Sequence, residues 1–137
     1  MVITKEVLNA DNYACVVVKN GELKHAVNGK GIKPLLNLYK EHIEDLEGSN
    51  VADKVIGKSA ASILICAKVK DVYGKVMSNH ALEILNKYNI NVEYDTLVEE
   101  IHNMINTGMC PMENLVKYIN KPEEAVQALI RKIYGEV

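Results

Sequence analysis

The run Thr107-Gly-Met-Cys-Pro-Met-Glu113 combines residue types that could do chemistry at the start of a helix. Pro111 is typical of a first helical position, which puts Cys110 at the N-cap. Unpaired N–H groups and the positive end of the helix dipole favour the thiolate there, and the thiolate is the nucleophilic form of cysteine. Glu113 could complete a capping arrangement or act as a nearby carboxylate. The alternative is structural: the turn residues only shape the chain, and the thiol fills an apolar gap.

The run Gly57-Lys-Ser59 resembles the end of a phosphate-binding loop, but two features argue against one. Ala52 stands where such a loop has its first glycine, and no strand is expected to lead directly into the run. A helix start carrying Lys58 and Ser59 could still bind a small anionic or polar molecule through backbone N–H groups and the ammonium. The structural alternative is that Gly57 permits close packing of a helix on a sheet.

Asn79 and His80 stand where a predicted strand ends and a predicted helix begins. Ligands of open α/β sheets collect beyond the carboxyl ends of the strands. His80 could therefore act as a general base or donate a hydrogen bond to a ligand. Alternatively, Ser78 or Asn79 caps the helix and His80 faces solvent.

The remaining polar features are expected to be structural. Three histidines, His25, His42 and His102, have no partner visible in the sequence and are expected at the surface or at edges. His42 also forms a His-x-Glu motif with Glu44, but the motif lies near the end of a predicted helix, so we treat it as coincidence. Residues 28–31 form a glycine-rich loop, which is more often a turn than a phosphate cradle.

The composition excludes several classes of protein. Charged residues make up 25% of the chain and the net charge is −2, whereas a nucleic-acid-binding domain normally carries a basic stripe. Arg131 is the only arginine, so a two-pronged guanidinium clamp for an anion is not expected. The three cysteines form no Cys-x-x-Cys pair, and Cys15 and Cys66 lie in apolar runs typical of a core. Without a signal peptide or an apolar stretch of about 18 residues, the sequence predicts a cytoplasmic protein that does not enter the membrane.

Four strands are predicted, at residues 13–19, 22–27, 72–77 and 90–94. The first two flank Asn20-Gly21, the strongest two-residue signal for a hairpin. The last two enclose a predicted helix, and the two strands of such a strand–helix–strand unit run parallel.

Helices are predicted at residues 34–46, 51–67, 81–88, 97–105, from Pro111 onward, and at about 121–134. Pro34 opens the first, Asn50 with Asp53 caps the second, and Thr96 caps the fourth. The first is amphipathic and the second is apolar nearly all round, so we expect them on opposite faces of the sheet. The element order predicts a single domain over residues 1–137, a three-layer α/β/α arrangement around a mixed sheet of about four strands.

This element order resembles the cytidine-deaminase-like fold. Four segments are also similar to a bacterial and archaeal family of unknown function that has this fold: Gly31-Ile-Lys-Pro-Leu-Leu36, Asp53-Lys-Val-Ile-Gly-Lys-Ser-Ala-Ala61, Val76-Met-Ser-Asn-His-Ala-Leu-Glu83 and the run that ends at Glu113. The resemblance covers most of the chain up to about Val116. It implies a fold and a location for a site, but no reaction.

The deaminase chemistry is not expected to carry over with the fold. A zinc deaminase needs a histidine or cysteine and a glutamate at the start of one helix, and Pro-Cys-x-x-Cys at the start of the next. The corresponding helix starts here are Val55-Ile-Gly-Lys-Ser59 and Met77-Ser-Asn-His-Ala-Leu82, which together offer only the imidazole of His80. One imidazole cannot hold a zinc ion that needs three protein ligands, so we expect no metal and no cofactor at this site.

The sequence therefore favours a pocket for a small polar or anionic molecule, nucleotide-like by analogy with the fold. The residues predicted to contact it are Lys58, Ser59, Asn79, His80, Thr107 and Gly108, and the catalytic candidates are Cys110 and Glu113. A metal-independent thiol enzyme centred on Cys110 is the sharper form of this hypothesis. The alternative is a non-catalytic interaction or regulatory module, in which the last helix or a sheet edge binds a partner or a second copy of the chain.

Overall fold

The computed structural model describes residues 2–11, 13–101 and 111–135 of the chain. Its strands form one sheet in the order β2-β1-β3-β4-β5. The strands are β1 (Cys15–Lys19), β2 (Glu22–Val27), β3 (Asn50–Ile56), β4 (Asp71–Ser78) and β5 (Asn91–Val98). β1 is antiparallel to both β2 and β3, whereas β3, β4 and β5 are parallel to one another. The predicted α/β class with a mixed sheet is confirmed, with five strands instead of about four.

The helices of the described residues alternate with the parallel strands and extend beyond them. They are α1 (Val2–Asp11), α2 (Lys33–Glu41), α3 (Ile43–Leu46), α4 (Lys58–Cys66), α5 (Asn79–Lys87), α6 (Pro111–Val116) and α7 (Pro122–Tyr134). Among the described residues, none of these helices has the length and apolar character that crossing a membrane requires.

The alternation of side chains along the strands divides the core between two faces. Val17 of β1 belongs to a large cluster with the apolar residues of α2, α4, α5 and α7. Val16 and Val18 point the other way and pack with Leu8 of α1 and the buried Tyr73. The expectation that the first two predicted helices lie on opposite faces is therefore wrong. α2 and α4 share one face, and α1, which the sequence analysis did not predict, covers the other.

The hairpin and the parallel pair formed by β4 and β5 are confirmed. Asn20 and Gly21 both adopt positive φ, as the tight turn between β1 and β2 requires. The helix predicted at residues 34–46 is interrupted at His42, which separates α2 from α3.

Two of the predicted helices are partly wrong. Residues that resemble helix caps lie inside strands instead. Residues 50–56 form the central strand β3, which pairs with β1 on one side and β4 on the other. Asn50 and Asp53 therefore belong to a strand and do not cap a helix. β5 likewise continues through Leu97 and Val98, where a helix capped by Thr96 was expected. In both cases pairing with a neighbouring strand outweighed the local helical signal.

The packing of α7 against α4 allows a test of whether residues 1–137 fold as one domain, which remains a prediction. Leu129 is fully buried on α7. We expect Leu129→Ala to lower the free energy of unfolding by about 2–5 kcal/mol, since the shortened side chain leaves a cavity. Urea denaturation measures the change. Tyr118→Ala is the control, because this side chain is 84% exposed and should matter little. A loss below about 1 kcal/mol for Leu129→Ala would put α7 outside the cooperative unit.

Candidate functional site

The centre of the site is the connection between β3 and α4. β3 ends at Ile56, Gly57 is the N-cap residue in an extended conformation, and α4 begins at Lys58. A strand thus leads directly into Gly57-Lys-Ser59, contrary to expectation. Gly57 offers no side chain to cap the helix, so the first N–H groups of α4 need another partner.

Glu113 of α6 supplies that partner. One of its carboxylate oxygens accepts the Lys58 N–H at 2.7 Å, and the other accepts the Ser59 N–H at 2.9 Å. The Ser59 hydroxyl donates a further short hydrogen bond to the second oxygen. The carboxylate is only 6% exposed, and it lies at the positive end of the α4 dipole. Glu113 therefore caps α4, a helix other than its own.

The close approach of this carboxylate explains the glycine at position 57. A Cβ atom on Gly57 would overlap with the carboxylate carbon and both carboxylate oxygens of Glu113. The sequence analysis interpreted Gly57 as a residue that permits a helix to pack closely on the sheet. Glycine does permit a close approach here, but the neighbour is the carboxylate of Glu113.

A second contact between α4 and α6 runs in the opposite sense. The Lys58 ammonium donates a hydrogen bond to the carbonyl of Lys117, just beyond the end of α6, at 3.0 Å. This position is the negative end of a helix, where a cation is favoured. Desolvation lowers the pKa of Lys58, and the nearby Glu113 opposes this shift. A carboxylate of α6 thus lies at the positive end of α4, and an ammonium of α4 lies at the negative end of α6.

Beside this junction lies a cavity of about 780 Å³. Its polar lining comes from Asp53, Lys54, Ser59 and Glu113, together with the glycine-rich loop at residues 28–31, which includes Lys30. Apolar walls come from Ala14, Ile32, Val55, Ala60, Ile101, Pro111 and Met112. A mostly apolar cavity of this size with a few convergent polar groups has the properties of a small-molecule site.

Asp53 is the unusual group of this cavity. Partial burial raises the pKa of its carboxyl to about 7, although hydrogen bonds from the backbone N–H groups of Val55 and Lys54 oppose the rise. The thiol of Cys15, which faces Asp53 across the β1–β3 pair, donates a hydrogen bond to it. Burial and the neighbouring carboxyl keep this thiol protonated by raising its pKa well above the ordinary range. A carboxyl that titrates near neutrality inside a cavity is a typical sign of a functional site.

The structure brings together three of the predicted site residues, Lys58, Ser59 and Glu113. Asn79 and His80 are exposed at the start of α5 and do not line this cavity. Ser78 caps that helix, because its hydroxyl accepts the Ala81 N–H at 3.2 Å. The predicted residues Thr107, Gly108 and Cys110 lie outside the described residues, as does His102.

Sequence reasoning missed the role of Asp53 and undervalued the loop at residues 28–31. Asp53 was assigned to a helix cap, and the signal that could have found it was its place in the segment that leads into Gly57-Lys-Ser59. The loop was interpreted as a simple turn. Gly29 has a φ of 131°, and a Cβ there would lie 2.7 Å from the ring of Pro34, so glycine lets the loop pass close to the start of α2.

Comparisons with known proteins identify a family and similar solved structures. Residues 3–133 match the model of a family described as TM1506, a domain of unknown function (DUF1893). A crystal structure of a DUF1893 family protein (TM1506) from Thermotoga maritima is 30% identical, with a TM-score of 0.90 over 96% of this chain and 88% of that chain. Acinetobacter baumannii RibD (form 2) is 19% identical, with a TM-score of 0.46 over 69% of this chain and 33% of that chain. No curated protein sequence matches significantly. The resemblance to a family of unknown function is thus confirmed.

The contact between Gly57 and Glu113 predicts strong coupling between two substitutions. We expect Gly57→Ala to cost about 2–4 kcal/mol of stability, because it displaces a buried carboxylate from charge-assisted hydrogen bonds. In a Glu113→Ala background the same change should cost less than about 1 kcal/mol. Denaturant unfolding of the four proteins gives a coupling energy, which we expect at about 1–3 kcal/mol. Ser78→Ala removes the cap of a different helix and should be additive with Glu113→Ala. Additivity between Gly57→Ala and Glu113→Ala would contradict the contact.

The pKa of Asp53 predicts how stability depends on pH. The folded-state pKa of about 7 lies above the ordinary value of 3.8, so the native state holds this proton more tightly than the unfolded chain. The resulting stabilisation is complete below about pH 4 and is lost as the pH rises to about 7. Asp53→Asn should remove this loss and raise the melting temperature at pH 8 by roughly 4–8 °C.

The measurement is thermal unfolding from pH 4 to pH 8. Asp71→Asn makes the same chemical change at the start of β4, outside the cavity, and should leave the loss of stability with rising pH unchanged. If Asp53→Asn destabilises the protein equally at pH 5 and pH 8, the raised pKa is wrong.

Proposed function

We propose that this chain, which belongs to the TM1506 family of domains of unknown function (DUF1893), binds a small polar molecule in the cavity beside α4. The observation that carries the proposal is the Asp53 carboxyl, which faces a cavity of about 780 Å³ with a pKa of about 7. The raised pKa lowers the stability of the fold near neutral pH, because the native state is weakened when this carboxyl ionises. A ligand that hydrogen-bonds the carboxylate would offset this cost.

A neutral polar ligand fits better than an anionic one. The N–H groups at the start of α4, which an anion would need, already bind the carboxylate of Glu113. The ammonium of Lys58 is directed to the carbonyl of Lys117. Lys30 and Lys54 also line the cavity, but Asp53 and Glu113 match them with two carboxyl groups. An unphosphorylated nucleoside or nucleobase, which carries N–H donors and a flat apolar body, matches this lining better than a nucleotide.

Asp53 is suited to exchange a proton with such a ligand. A carboxyl with a pKa near 7 is partly ionised at neutral pH and can act as a general acid or base. Glu113 is less suited, because both of its oxygens already accept hydrogen bonds from α4. We keep Cys110 as the proposed nucleophile of a metal-independent reaction, since it is bonded to Pro111, which lines the cavity.

The proposal extends to the compartment. Cys15 and Cys66 are free thiols among the described residues, and burial raises the pKa of Cys66 to about 11. Thiols kept in this form suit the reducing cytoplasm.

A binding screen at two pH values tests the cavity and the role of Asp53. The probes are nucleobases and nucleosides, each compared with its 5′-monophosphate, and binding is measured by thermal shift and then calorimetry. We expect a nucleobase or nucleoside to bind roughly tenfold more tightly at pH 8 than at pH 6, because a carboxyl with a pKa near 7 ionises over this interval. The phosphate should give no gain in affinity.

Asp53→Asn should abolish this pH dependence, and Asp71→Asn should leave it unchanged. The same pH dependence in Asp53→Asn would contradict the role of Asp53. Tighter binding of the monophosphates would restore the anionic alternative. If no probe binds and light scattering shows a stable homo-oligomer, the interaction module becomes the better hypothesis.

One observation favours that second candidate. β5 is the last strand of the sheet, and Tyr94 and Leu97 on it are exposed apolar side chains. An exposed apolar edge strand is a template for pairing with another chain. The final helix is less suited to this role, because Val126 and Leu129 of α7 are already buried in the core.

A further inference from the structure

Three partly exposed side chains that could bind a metal ion meet between β2 and α3, and none of them lines the cavity. They are His25 of β2, His42 between α2 and α3, and Asp45 of α3. The Nε2 atom of His25 lies 2.9 Å from a carboxylate oxygen of Asp45. The rings of His25 and His42 have centroids 4.6 Å apart and are tilted by 42°. One ligand atom from each residue lies within 4.8 Å of the other two.

The interruption between α2 and α3 makes this meeting possible. The His42 N–H still bonds to the Leu38 carbonyl at 2.8 Å, but its φ of −135° and ψ of 42° end α2. A new turn begins at once, and the Asp45 N–H bonds to the His42 carbonyl at 3.0 Å. Residues three apart on such a turn lie on the same side, so His42 and Asp45 face β2 together.

We propose that His25, His42 and Asp45 bind one divalent transition-metal ion of the Zn²⁺ class. Imidazole nitrogen suits zinc and its neighbours in the periodic table, whereas Mg²⁺ and Ca²⁺ need sites made of oxygen. Three protein ligands leave a fourth position of a tetrahedral ion for water, which is the pattern of open zinc sites. The His-x-Glu motif at His42 is therefore not what matters chemically, because Asp45 supplies the carboxylate in place of Glu44.

The geometry needs only small adjustments to accept the ion. Ligand bonds of about 2.0–2.2 Å in a tetrahedron put the ligand atoms roughly 3.3 Å apart. The His25–Asp45 pair must open slightly, and the remaining separations, which are within 4.8 Å, must close by at most about 1.5 Å, which side-chain rotation can supply. The side chains of His25 and Asp45 are 17% and 29% exposed, so the site is partly shielded but open to entry.

The surrounding charges oppose the ion only weakly. Lys24 lies close enough to affect Asp45, but it also pairs with Glu22 at 3.6 Å. Lys19 donates to the Glu44 carbonyl at 2.7 Å. In the absence of an ion, His25 and Asp45 form an ordinary hydrogen-bonded pair, which is the arrangement that the experiment must distinguish from a metal site. The cluster shares no residue with the cavity, so the two proposals can fail separately.

Titration of the metal-free protein with Zn²⁺ tests the proposal, with Co²⁺ as a spectroscopic probe. We expect one Zn²⁺ per chain by calorimetry, and a visible Co²⁺ spectrum of a four-coordinate site with nitrogen and oxygen ligands. His25→Gln, His42→Gln and Asp45→Asn should each weaken binding by more than about 100-fold. Even the substitution of a residue that only hydrogen-bonds to a metal ligand typically costs about 10–100-fold in affinity. Circular dichroism confirms that each variant is folded, and three separate variants keep the test valid if one unfolds.

His80→Gln is the matched control, because it removes an exposed histidine that lies outside the cluster. It should bind Zn²⁺ as the wild type does. The proposal is overturned if the wild type shows no saturable binding of Zn²⁺. It is also overturned if folded His25→Gln and Asp45→Asn retain full affinity, or if Co²⁺ shows the thiolate charge-transfer bands of a cysteine site.

Discussion

The contact that the candidate site depends on is the carboxylate of Glu113 at the start of α4. A buried carboxylate is tolerated only when its oxygens are hydrogen-bonded, and two N–H groups and a hydroxyl meet that need here. The N–H groups would otherwise be unpaired, because Gly57 has no side chain to cap the helix. One contact thus satisfies both sides, fixes α6 against α4, and forms one wall of the cavity. Any larger residue at position 57 would remove that wall along with the cap.

Two carboxyl groups line the same cavity and have opposite environments. Glu113 has its oxygens matched to donors at a positive helix end, so the structure holds it in place. Asp53 accepts hydrogen bonds from backbone groups and from a thiol, yet partial burial still raises its pKa to about 7. Glu113 therefore stabilises the fold, whereas the raised pKa of Asp53 lowers stability near neutral pH.

Local sequence was sufficient for elements with strong local signals. Asn20-Gly21 predicted the hairpin, Pro34 the start region of α2, and the spacing of β4 and β5 their parallel pairing. It was insufficient for β3, whose polar residues Asn50 and Asp53 look like caps until both neighbouring strands are present. The contact between Glu113 and the start of α4 could not be predicted for the same reason. Glu113 binds residues 54 and 55 positions earlier in the chain, and nothing in the local pattern encodes that partner.

The same long-range effect links the hairpin to both proposed sites. The segment from His25 to Asp45 begins and ends at the proposed metal site, and residues 28–32 within it form one wall of the cavity. The hydrogen bond between His25 and Asp45 closes this segment into a loop that includes α2. An ion shared with His42 would tighten that closure, and fixing the ends of a loop reduces the conformations open to its middle. Metal binding at His25, His42 and Asp45 would therefore reduce the conformational freedom of residues 28–32 in the cavity wall, although no side chain takes part in both sites.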